Sequence, residues 1–222
     1  MAKSGTSSRV MAEGTGRSTA TMRALVDAAA ETLKSEGFAG ASARAIAGRA
    51  GCNQALVFYY FDSVTNLLLA ALDAVSNARL ERYRAAVEQV SSPAELVEVA
   101  AAIFGEDLDR GHVTVLVEMI AGAASTPGLG PEVSARMTPW TQFASGAIDS
   151  ALGASALGSV IPSSEVAYGI VAIYLGLELL SHLDGDRTSA LALFDHAKQL
   201  APLVEALGGM AAPTRPKDTT GP

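Results

Sequence analysis

One cysteine, three histidines and one tryptophan are all that 222 residues contain of those types. The lone Cys52 excludes an intramolecular disulfide and a cysteine-rich zinc site, and it suits a reducing compartment. His112, His182 and His196, even taken with Glu118, stand at separations that match no compact metal-ligand spacing. No nucleophile, base and orienting residue form a recognisable catalytic set, so an enzyme is not expected. No alternating apolar and polar stretch is long enough for a strand. Apolar runs such as 166–180 are interrupted by Tyr168, Gly169, Tyr174 and Glu178, which argues against a bilayer span of about 20 apolar residues. The first 21 residues are polar and lack the apolar core of a secretory signal. These absences leave a cytoplasmic, all-α protein with no cofactor, no metal and no membrane partner as the expectation.

What the chain does have is apolar mass, 49% of its residues, enough for a globular core. Its charge is uneven. The net value is −7, yet residues 1–75 carry seven Lys/Arg against six Asp/Glu, a balance of +1, so the remainder sums to −8. Within the first 23 residues four basic groups face only Glu13. Attraction to phosphate depends on such local excess and not on the total, so an acidic protein can still present a mildly basic front.

Caps and breakers divide the chain into helices. Residues 1–17, rich in Ser, Gly and Thr, read as a flexible basic arm, and 211–222 as a disordered tail. From Ser18 or Thr19 the apolar positions Met22, Leu25, Val26, Ala29 and Leu33 follow the spacing of one buried helical face. Gly37 ends that helix, with Phe38 folding back as the contact of its cap. Ser42 caps a short helix over 43–50, Gly51-Cys52-Asn53 make a turn, Asn53 caps a third helix over 54–60, and Ser63 caps a fourth running toward 90. Further helices are expected over 94–108, 113–124, 132–152 (kinked or split by Pro139), 165–183 with a serine cap at 163 or 164, and 188–207. Gly153 to Pro162 reads as loop.

Short helix, glycine-containing turn, short helix is the plan of a helix-turn-helix, whose second helix enters the major groove. Ala47 and Ala50 are small enough to let the next helix cross closely, and Ile46 supplies buried area. On the third helix Val57 and Phe61 form the inward face, so Ala55 and Tyr59 lie opposite, flanked by Leu56, Phe58 and Tyr60. The segments Ser42-Ala43-Arg44-Ala45-Ile46-Ala47, Ala50-Gly51-Cys52-Asn53-Gln54 and Phe58-Tyr59-Tyr60-Phe61-Asp62-Ser63, followed by Leu67, resemble the N-terminal signature of TetR-family regulators over roughly residues 18–75.

That resemblance implies a three-helix DNA-binding domain at 18–64 joined through a long fourth helix to a helical effector-binding and dimerisation domain at 65–210. It implies DNA contacts from Arg17, Ser42, Arg44, Asn53, Gln54, Ala55, Leu56, Tyr59, Tyr60 and Ser63. Gln54 can bond adenine through two hydrogen bonds. Tyr60 has the alternative of packing on the first helix. Two residues depart from the family pattern: Phe58 stands where a tyrosine hydroxyl usually reaches phosphate, and Val64 where a lysine usually opens the fourth helix. Cys52 reads as filler of the turn.

In the body, Glu118 faces either solvent or a pocket in need of a polar anchor, while Met119, Met137, Trp140 and Phe143 are core residues or effector contacts. Residues 165–183 and 188–207 are apolar on more than one face, and the resemblance supplies a homodimer partner for them, with Tyr168, Leu177, Leu180, Phe194 and Leu203 as interface candidates. The function implied is a ligand-responsive repressor that binds a palindromic DNA operator as a dimer and is released by a small hydrophobic or amphipathic effector. The alternative is an all-helical small-molecule carrier or enzyme with no role at DNA.

Overall fold

The computed structural model describes residues 5–90, 92–152 and 162–208, and every regular element among them is helical. In chain order the helices are α1 (Gly5–Gly40), α2 (Ala43–Arg49), α3 (Ala55–Phe61), α4 (Val64–Val87), α5 (Pro93–Asp109), α6 (His112–Ala123), α7 (Leu129–Ala135), α8 (Thr138–Leu152), α9 (Ser163–Asp184) and α10 (Thr188–Gly208). They gather into two compact units. The first holds α1 to α3, α4 as far as Arg79, and also α6 and α7; the second holds α4 from Leu80, α5 and α8 to α10. In this grouping α6 and α7 fold with the head.

The first unit is centred on α1, which packs against α2 and α6. Leu25, Ala29 and Leu33 are fully buried at the spacing that the sequence shows, together with Ile46, Val57, Leu67, Val115, Met119 and Leu129 from the other helices. Thr32, buried on the same face, donates its hydroxyl to the Ala28 carbonyl at 2.7 Å, so no polar group is stranded there. The backbone of α1 is helical from Gly5 and not from Ser18. Extending a helix already nucleated by a packed face needs only propagation, which Ser, Gly and Thr oppose weakly. The helix breaks at Gly37 (φ 71, ψ −179), a backbone region open essentially to glycine alone.

Pro139 does not kink a long helix. Instead α7 ends at Ala135, α8 starts at Thr138, and Pro139 occupies the first turn, where its missing N–H would have had no partner. Arg136, just past α7, clasps α7 to α4: its guanidinium lies 2.8 and 3.1 Å from the two carboxylate oxygens of Asp73 and 3.0 Å from Glu132.

In the second unit every helix contributes a ring to one aromatic cluster. Tyr83 of α4, Phe104 of α5, Trp140 and Phe143 of α8, Tyr174 of α9 and Phe194 of α10 meet at centroid separations of 5.2 to 6.3 Å, mostly edge to face. The Tyr83 and Tyr174 hydroxyls are hydrogen-bonded to each other. Burial, and then the neighbouring Tyr83 and Glu178, push the Tyr174 phenol well above its ordinary pKa, so it remains a neutral donor. Asp107, fully buried beside this cluster, is paired with Arg82 at 2.9 Å.

The serine cap expected for α9 is absent: Pro162 takes the capping position and Ser163 is the first helical residue. By length and composition α9 could cross a membrane, contrary to the expectation drawn from its interrupted apolar run. Of the interrupting residues, Glu178 lies on its buried side, as does Ser181 just beyond the run. The outward side is left to Tyr168, Ile170, Ile173, Leu179, Leu180 and Leu183.

Truncating the fully buried Phe104 to alanine removes the ring that joins α5 to both α9 and α10, and should cost about 3–5 kcal/mol. Urea unfolding reads this directly, and a loss below about 1 kcal/mol would show that the cluster collapses around the gap instead of depending on the ring.

Candidate nucleic-acid interface

Local capping builds the helix-turn-helix. The Ser42 Oγ accepts the Ala45 N–H at 3.2 Å, fixing the start of α2. Gly51, at φ 67, turns the chain, and the Cys52 N–H returns to the Ala47 carbonyl at 3.0 Å. Cys52 itself is a half-buried free thiol in that turn. The Asn53 Oδ1 accepts the Ala55 N–H at 2.8 Å, and the Ser63 Oγ accepts the Asn66 N–H at 3.0 Å at the head of α4. Asp62 makes the corner between α3 and α4 with φ 63 and ψ −34, a positive-φ conformation that side-chain-bearing residues rarely adopt.

Val57 is fully buried and holds α3 to the head. The outward stripe consists of Ala55, Phe58, Tyr59 and Asp62, with Tyr59 76% and Phe58 52% exposed. Phe58 therefore belongs to the reading surface and not to its flank. Leu56 and Tyr60 are half-buried, and the Tyr60 ring meets Tyr59 edge to face at 4.9 Å. Gln54 and Arg44 are exposed at the starts of α3 and α2. Ser42, Asn53 and Ser63 each use an oxygen for capping, yet the serine hydroxyl hydrogens and the Asn53 amide protons remain available as donors to phosphate. The side chain of Arg17 lies outside the described residues.

The remaining cations of the head are unequal. Lys34 pairs with Glu31 at 2.9 Å, and Arg49 joins Glu36 at 3.0 Å and the Ser35 hydroxyl at 2.8 Å. Arg23 and Arg44 are exposed, with no ion pair among the described residues. Exposed aromatic groups on α3, the Gln54 amide at its start and a cation at the head of α2 are side chains suited to a DNA groove.

Residues 25–71 match the family model of bacterial regulatory proteins, tetR family. Over those residues the chain carries an N-terminal segment of the TetR type. Solved structures agree with that fold along most of its length. FadR, the fatty acid degradation regulator from Bacillus halodurans, is 15% identical with a TM-score of 0.68, covering 85% of this chain and 98% of that one. FadR from Bacillus subtilis in complex with stearoyl-CoA is 13% identical with a TM-score of 0.66, covering 81% and 96%. A protein from Saccharomonospora viridis in complex with choline is 19% identical with a TM-score of 0.61, covering 83% and 95%. A comparison with curated proteins gave no match.

The five residues named for effector contact do not come together in one unit. Glu118 and Met119 sit on α6 in the first unit, where Met119 is fully buried and the Glu118 carboxylate accepts the Phe38 backbone N–H at 2.8 Å. Met137, Trp140 and Phe143 belong to the second unit, the latter two as members of its aromatic cluster. Of the interface candidates, Tyr168, Leu180 and Leu203 are 70%, 57% and 59% exposed, Leu177 is half-buried, and Phe194 packs on Phe104 at 5.2 Å. Among the described residues no group of His, Cys, Asp and Glu is placed to hold a metal ion.

With Lys34 and Arg49 held in ion pairs, and Phe58 and Val64 offering neither hydroxyl nor charge, this head should release few counterions. A plot of log affinity against log salt should therefore be shallow, and a steep dependence would mean that cations beyond Arg23 and Arg44 grip the phosphates.

Proposed function

We propose that this TetR-family transcriptional regulator is a ligand-responsive repressor that binds a roughly palindromic operator as a homodimer. The observation that carries the reading is the outward stripe of α3, set by three local caps and backed by the buried Val57. Gln54, Tyr59 and Tyr60 read base edges or backbone, Arg44 contacts phosphate or base, and Ser42, Asn53 and Ser63 donate to phosphate. Two heads fixed in a dimer would meet half-sites about one helical turn apart.

The dimer reading is supported by the outward faces of α9 and α10, where Tyr168, Leu180, Leu193, Leu200 and Leu203 stand exposed without a partner helix. Apolar area of that extent is stabilised when a second copy covers it. For the effector, the second unit offers a recess of about 720 Å³ among the ends of α4 and α5 and the face of α8, lined by Val87, Leu96 and Phe143 with Arg84, Glu88 and Gln142 at its polar positions. That mixture suits an amphipathic molecule, and the stearoyl-CoA and choline complexes of the two structural relatives support small-molecule binding as the role of the body. Release from DNA then requires the effector to bind the DNA-incompetent state more tightly.

Selection from random-sequence DNA should enrich a palindrome, and Gln54→Ala should lower affinity for it by about tenfold with relaxed preference at one position per half-site. Enrichment of no sequence would overturn the reading in favour of a carrier. Leu180→Glu together with Leu203→Glu alters only exposed positions, so the chain should stay folded while sedimenting as a monomer; a dimer that survives both would place the interface elsewhere.

A further inference from the structure

We infer that Glu118 and Gly122 of α6 form a seat for the corner where α1 breaks, and that Glu118 is a positioning residue for DNA binding. This rests on the DNA-binding role proposed above. Glu118 and Gly122 are four residues apart and so share one face of α6. The Glu118 carboxylate accepts the Phe38 N–H at 2.8 Å, and a β-carbon added at Gly37 would lie 2.8 Å from its Oε2. One turn on, the Phe38 ring fills the space over Gly122, where an added β-carbon would fall 2.4 Å from ring carbons. The contact is therefore tight in both directions: each partner presents a glycine to the other's side chain.

The corner leads straight to the reading helices. The Phe38 carbonyl accepts the Ala41 N–H at 3.2 Å and the Gly40 carbonyl accepts the Ser42 N–H at 2.8 Å, so the link from Phe38 to the cap of α2 has no slack. Arg49 at the other end of α2 returns to Glu36 and Ser35 in the last turn of α1. The α2 helix is thus tied at both ends to the stretch that Glu118 holds, and α3 packs on α2. A corner freed from Glu118 would lose a backbone partner at Phe38 and let α2 and α3 tilt without leaving the core.

The test uses the full chain and the DNA fragment that the wild type selects from random sequence. Glu118→Asp keeps the charge but shortens the reach by about 1.5 Å, whereas Glu118→Gln keeps the reach and a carbonyl acceptor. At a temperature where all variants are folded, Glu118→Asp should bind the fragment about tenfold more weakly and exchange the Phe38 amide proton faster. Glu118→Gln should restore both toward wild type. Gly122→Ala, which displaces the Phe38 ring, should weaken binding as Glu118→Asp does. Faster exchange at Phe38 with wild-type DNA affinity would overturn the inference while leaving the regulator reading intact. A loss in Glu118→Gln as large as that in Glu118→Asp would also overturn it, since glutamine keeps both the reach and an acceptor for the Phe38 N–H and should therefore rescue. A wild type that selects no DNA would bring down the regulator reading and this inference with it, an outcome seen before any variant is made.

Discussion

The carboxylate of Glu118 bonded to the backbone N–H of Phe38 is the contact on which the arrangement of the head depends. A helix that breaks at glycine leaves the next amide without an intrahelical acceptor, and a buried amide left unmet costs about 1–3 kcal/mol. A second helix supplies the acceptor here, so the break can be sharp and still satisfied. It also explains why α6 belongs with the DNA-binding helices and not with the second unit. A charged residue within the apolar run Val113 to Ile120 invites a search for a ligand, yet its partner is a peptide group 80 positions earlier.

The elements legible in the sequence were those governed by neighbours in the chain. Ser42 and Ser63 cap α2 and α4, and Asn53 bonds the first helical amide of α3, because a side-chain oxygen two or three residues from a free amide needs no tertiary information. Leu25, Ala29 and Leu33 declare the buried face of α1 through their spacing alone. The family signature was readable for the same reason, since it is a chain of local constraints: cap, small residues at a helix crossing, turn glycine, cap. Regular helix begins only at Ala55, one residue after the predicted start, so Gln54 and not Asn53 takes the capping position, and Asn53 reaches the Ala55 N–H from one residue further out.

What the sequence hid were the relations between distant segments. Gly37 was expected to close α1 with Phe38 folded back, but the ring is set against Gly122, and only the three-dimensional path of α6 reveals that slot. Arg136 joins Asp73 across 63 positions, and no periodic pattern marks such a pair. In α9 the charged residue that seemed to interrupt an apolar run, Glu178, turned out to lie on the buried side near Tyr174, whereas Tyr168 stands outward among apolar neighbours. Composition could not divide Trp140 and Phe143 between core and pocket, because an aromatic ring serves either role. The structure makes both of them neighbours of Tyr83, with Phe143 alone reaching the recess.

These features constrain how the protein would hold DNA. Residues 1–75 carry a balance of only +1, and Lys34 and Arg49 are held in ion pairs, so the head's attraction to phosphate would be modest. On the proposed reading, affinity would come from short-range fit: the angle at which Gln54, Tyr59 and Tyr60 would meet the groove, and the simultaneous engagement of two heads. Fit of that kind is lost with small rotations, whereas attraction between point charges is not. A head that relies on geometry needs its reading helices fixed more rigidly than one that relies on charge, and the tie from α6 through Phe38 to α2 is where that rigidity enters. By the same reasoning, the proposed dimer contributes more here than it would in a basic protein: a single weak head gains most from a second one linked to it at the right distance.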